Sequence, residues 1–89
     1  MKNNNYKQKL IKKLKYRSIY SGSKESDFIL SNFAKKNLNN LSISELESYK
    51  KFLTLGDVNI WNWVSDNEPI PFFEDQNYKK FILLMKGNK

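Results

Sequence analysis

Apolar residues recur at helical spacing in separate stretches along the chain, and the few residues that stop helices stand between them. From Tyr6 to Tyr20, Tyr6, Leu10 and Leu14 follow i, i+4, i+8 spacing with Ile11 alongside, while lysines fill the other face. Gly22 then stands where a left-handed helix cap belongs. Ser23 is placed to cap a second helix, whose stripe is Phe28, Ile29, Phe33, Ala34 and Leu38 and whose first turn carries Glu25 and Asp27 toward the positive end of its dipole. This helix should fade near 37–40. The third start is written in Ser42 and Glu45, which have capping-box spacing, and Leu46, Tyr49, Phe52 and Leu53 continue one face until Gly56.

Asp57 is a candidate cap for a short fourth helix through Val58, Ile60, Trp61 and Val64, with Trp63 pointing away from that face and expected to pack. The helix must end before Pro69, because proline restricts the residue ahead of it, and 69–71 form a turn. The last helix, over 74–86, carries Tyr78, Phe81, Ile82 and Met85 inward. No strand-period alternation competes. The pattern predicts an all-α fold, a small bundle of about five helices forming one domain over 1–89, with 1–9 prone to fray and 74–89 as the C-terminal helix segment.

Composition narrows the chemistry. The chain of 89 residues has neither cysteine nor histidine, which removes disulfides, thiolate metal sites, cysteine nucleophiles and the commonest general base. The acid pairs Glu25 with Asp27, Glu45 with Glu47, and Glu74 with Asp75 have no histidine, serine triad or glycine loop to work with, and helix-end electrostatics explain them better. No catalytic residue and no metal site is expected. The longest apolar run, 81–85, is far below the roughly 20 residues of a membrane-spanning helix. The reading is a soluble protein of a reducing compartment, with its start part of the mature chain.

Charge is unevenly placed. Lys2, Lys7, Lys9, Lys12, Lys13, Lys15, Arg17 and Lys24 all precede the first acid, Glu25, so the whole net charge of +7 is concentrated in the first quarter. Such a segment attracts polyanions or an acidic protein face, and salt should weaken the attraction.

The stretch from Tyr16 through Arg17, Ser18, Ile19, Tyr20, Ser21, Gly22, Ser23, Lys24 and Glu25 to Asp27 resembles the signature of the succinate dehydrogenase assembly factor 2 family, the flavinylation factors. Its hallmark is an RGxxE motif at the junction of the first two helices. The similarity continues through Phe33, Ala34, Lys35, Leu38, Leu41, Glu45, Leu46, Tyr49 and Leu53, then the block from Asp57 to Val64 with Trp61 and Trp63, and then Glu68 to Pro71. Order and spacing make the match specific. One position departs: Ser21 stands where the family has arginine, and a hydroxyl cannot grip a carboxylate through two parallel hydrogen bonds as a guanidinium does.

The resemblance implies a bundle of about five helices, monomeric, that is not an enzyme. It implies a chaperone that binds the flavoprotein subunit of succinate dehydrogenase, or of fumarate reductase, and promotes covalent attachment of FAD to a histidine of that subunit. It holds no cofactor stably itself, and works in the cytoplasm of a bacterium or the mitochondrial matrix of a eukaryote. The residues expected at the partner interface are Arg17, Ser21, Gly22, Lys24, Glu25, Asp27, Trp61 and Trp63. The alternatives are a basic helical nucleic-acid-binding module and a helical adaptor that has lost flavinylation activity.

Overall fold

A computed structural model describes the backbone of residues 2–19 and 24–87 and the side chains of 5–19 and 28–87. The elements run α1 (Lys2–Ile19), α2 (Lys24–Asn37), a 3-10 turn (Leu38–Asn40), α3 (Ile43–Leu53), α4 (Asp57–Val64) and α5 (Gln76–Lys86), with no strand among the described residues. This is the five-helix all-α bundle that the hydrophobic periodicity predicts.

The helices are held by one core to which all five contribute. Leu10, Ile11 and Leu14 of α1 and Ile29, Leu30 and Phe33 of α2 are buried in it. At its centre four rings interlock: Phe33 and Tyr49 lie 5.1 Å apart between centroids, and Phe81 meets Phe33, Tyr49 and Phe52 edge-on at 5.5 to 5.6 Å. Edge-to-face contact aligns the positive ring edge with the negative ring face, and such a pair adds about 1 kcal/mol to the burial of the rings. The cluster joins α2, α3 and α5, which are far apart in sequence, and so fixes the bundle.

The Ser42 capping box forms as expected: Glu45 N–H donates to Ser42 Oγ at 3.1 Å, and Ser42 N–H donates to Glu45 Oε1 at 2.8 Å. Other boundaries differ from the sequence reading. Helix α1 starts at Lys2 rather than Tyr6, and Tyr6 is half exposed, donating its hydroxyl to Glu47 rather than entering the core. Asp57 does not cap α4. The cap position is Gly56, at φ 98°, and Asp57 is the first helical residue. Only a few residues separate α3 from α4, and so tight a turn needs a backbone conformation that a side chain resists. Helix α5 begins at Gln76 instead of Glu74, because the shorter Asp75 carboxylate accepts the Asn77 N–H at 2.9 Å. The cap predicted at Ser23 lies outside the described residues.

Two stripes are corrected. Phe28 is 61% exposed, and Leu30 takes its place in the core. On α4 the buried face is Ile60, Trp63 and Val64, at i, i+3, i+4, while Trp61 is half-buried at its edge and Val58 is 63% exposed. Trp63 packs, as expected, but against Phe73 in the segment ahead of α5, with their rings 5.3 Å apart and nearly perpendicular.

Candidate partner-binding corner

The corner is built where α1 hands over to α2. Ser21 and Gly22, its central expected residues, lie outside the described residues, and Lys24, Glu25 and Asp27 are placed by backbone alone, in the first turn of α2. Helices α1 and α2 lie against each other in the bundle, so the first turn of α2 stands at one end of a helical pair.

The last turn of α1 is fixed from beneath. Ser18, fully buried, donates to the Leu14 carbonyl at 2.8 Å, and its oxygen lies 2.6 Å from the Tyr49 hydroxyl of α3. Because the Ser18 proton is committed to Leu14, Tyr49 donates to Ser18. Burial pushes the Tyr49 hydroxyl well above the usual tyrosine range, opposed by the Ser18 hydrogen bond and the positive charge of Arg17. The Tyr49 hydroxyl therefore stays a neutral donor, and the bond to Ser18 sets the rotation of α1 so that Arg17 faces solvent.

Around the corner several apolar side chains are exposed. Tyr16 is 65% exposed, Ile19 42% and Phe28 61%, and Val58 stands out from α4. Tyr16 and Arg17 form one wall of a cleft of about 240 Å³, floored by Leu30 and Ile60 and closed by Gly56 and Asp57 at the start of α4. Of the expected residues, Arg17 lies on this cleft, Trp61 offers a partly exposed edge, and Trp63 at 8% exposure serves mainly as packing. Phe28 and Val58 were missed as surface residues. The signal for Phe28 was present in the sequence: three consecutive apolar residues, Phe28, Ile29 and Leu30, span too wide an arc for all to face one core.

Three of the paired acids serve the fold, while the side chains of Glu25 and Asp27 lie outside the described residues. Glu45 closes its capping box and meets Lys80 at 2.6 Å, Glu47 accepts from Tyr6, and Asp75 caps α5. Among the described residues there is no cluster of metal-ligating side chains and no helix long and apolar enough to cross a membrane.

The family described as flavinator of succinate dehydrogenase matches residues 12–86. The chain is 38% identical over 73 residues to the mitochondrial succinate dehydrogenase assembly factor 2 of Meyerozyma guilliermondii, covering 82% of this chain and 54% of the relative. It is 38% identical over 64 residues to the protein so named in Dictyostelium discoideum, covering 72% and 45%, and 37% identical over 62 residues to that of Danio rerio, covering 67% and 39%. The chain spans from about a quarter to about half of the length of the curated relatives it matches. No solved structure matches it.

Proposed function

Because the chain belongs to the succinate dehydrogenase assembly factor 2 family, we propose that it binds the flavoprotein subunit of succinate dehydrogenase, or of a fumarate reductase, and promotes covalent attachment of FAD there without contributing a reacting atom. The observation that carries this reading is the family match over 12–86, which takes in both the helix junction and the tryptophan block. The exposed apolar side chains around that junction support it, because a surface of this kind gains free energy when a partner covers it.

The chain works as a selective binder. It takes the flavoprotein conformation in which the acceptor histidine and the flavin are aligned, so that population rises at the expense of others. Alignment then lowers the barrier to a reaction that belongs to the partner. Gly22 permits close approach of the partner backbone, Glu25 accepts hydrogen bonds near the flavin site, and Arg17 or Lys24 supplies the cationic contact that Ser21 cannot. The work is done as a monomer, wherever the subunit matures: the bacterial cytoplasm, or the mitochondrial matrix in a eukaryote.

The test is to incubate purified flavoprotein and FAD with the wild-type chain, Glu25→Ala or Gly22→Arg, and to measure covalent flavin by in-gel fluorescence. Wild type should raise the yield and both variants should lower it. No gain from the wild-type chain would refute the assignment, while full activity in both variants would remove these two residues from the mechanism.

A further inference from the structure

A second surface lies away from the corner, where α1 passes the 3-10 turn. Lys9, Lys12 and Lys15 border a groove of about 330 Å³, with Gln8 and Asn39 at its sides and Ile11 beneath. The three lysines recur every third residue, so they lie along one face over about 9 Å of helix axis. None of them is ion-paired with a described residue, whereas Lys80 and Lys86 are neutralised by Glu45 and Asp66. Helix α1 contains no acid of its own, and the Glu47 carboxylate that reaches it engages Tyr6. Three cations without an ion pair among the described residues repel each other on the wall of one concavity, and an incoming anion relieves that repulsion.

We infer that this groove is a docking site for an acidic helix or strand of the partner protein, whose carboxylates fall along the Lys9, Lys12, Lys15 row while Gln8 and Asn39 donate amide hydrogen bonds. The groove's composition selects that occupant. A nucleic acid held by guanidinium forks or by stacked bases would find neither here, because the one arginine, Arg17, and the exposed Tyr16 line the other cleft. A lipid surface would call for exposed apolar side chains to insert, and the groove's only apolar residue, Ile11, is 3% exposed. The inference rests on the proposed function only in naming the flavoprotein as the partner. The groove would act as a second anchor, steering the approach and fixing the orientation in which the α1–α2 corner arrives.

The experiment is lysine footprinting with an acetylating reagent on the full chain, free and saturated with flavoprotein, together with binding curves for two variants. Lys9, Lys12 and Lys15 should become protected in the complex while Lys35, Lys51 and Lys79 stay reactive. Lys9→Gln/Lys12→Gln/Lys15→Gln should bind about tenfold more weakly and lose most of the salt dependence, as expected for a few rim charges. Lys35→Gln/Lys51→Gln/Lys79→Gln, with the same loss of charge, should bind within about twofold of wild type. Unprotected groove lysines in a saturated complex, or equal losses in both variants, would overturn the inference and leave the proposed function intact. If the wild-type chain does not bind the flavoprotein, the proposed function fails, and a fluorescein-labelled decapeptide containing four glutamates then decides the groove. Weaker peptide binding by the groove variant alone supports the site; equal weakening in both variants overturns it. Protection of the same lysines by a 20-base-pair duplex, bound more tightly than flavoprotein at physiological salt, also overturns it.

Discussion

Gly56 and Ser18 hold the positions around which the corner is arranged, and each makes a prediction. At Gly56 an added Cβ would meet nothing closer than Asn59 Nδ2 at 3.8 Å, so space is not the constraint; the φ of 98° is. Gly56→Ala should therefore destabilise the fold by about 1 to 3 kcal/mol through backbone strain alone, read from urea unfolding, and a neutral result would mean that the turn relaxes. At Ser18, Tyr49→Phe should cost about 1 kcal/mol, and Ser18→Ala more, about 1 to 3 kcal/mol, because it also ends the bond to Leu14 and leaves the buried Tyr49 hydroxyl without a partner. The double variant should cost clearly less than the two singles together; strict additivity would show that the hydroxyls do not act as a pair. Ser18 itself gives no sign of burial in the sequence, where it sits among charged and aromatic residues. Its role depends on Tyr49, 31 positions away, and periodicity within one helix cannot report such a pairing.

Helices were legible wherever local chemistry decides them. The Ser42 and Glu45 box lies within four residues and forms as read, whereas the starts of α4 and α5 were displaced because tertiary geometry chose among adjacent candidates: Gly56 over Asp57 and Asp75 over Glu74. The box also links α3 to α5. The Lys80 ammonium, followed by the Ser42 N–H, holds the Glu45 carboxyl below its ordinary value of 4.5. A carboxyl with a lower pKa in the folded state than in the unfolded state adds stability that is fully present above the unfolded value and disappears as pH falls through the folded one. The melting temperature should hence decline as pH drops below about 4.5, and Glu45→Gln should flatten this acid limb. An identical limb in the variant would assign the acid sensitivity to other carboxyls. Ser42→Ala should cost about 1 kcal/mol at neutral pH, measured by the same unfolding assay.

At the scale of the whole molecule, fold and surface separate cleanly, and the surface was the harder part to read. Binary patterning assigns an apolar residue to the core by default, so Phe28 and Val58 read as inward, although one core closed by Phe33, Tyr49, Phe52 and Phe81 has no room for them. Residues left outside a filled core are available to a partner, and these two, with Tyr16 and Ile19, place most of the exposed apolar side chains of the first four helices near the α1–α2 junction and the adjoining end of α4. Phe28→Ser and Val58→Ser should accordingly leave the urea midpoint nearly unchanged, since surface substitutions stay within about 0.5 kcal/mol. The same substitutions should weaken flavoprotein binding by about tenfold, because a large exposed aromatic or aliphatic side chain contributes to affinity only when a partner buries it. Calorimetric titration of both variants separates the roles. Lost stability with intact affinity would return these side chains to the fold, and unchanged values for both would place the partner on another face of the bundle.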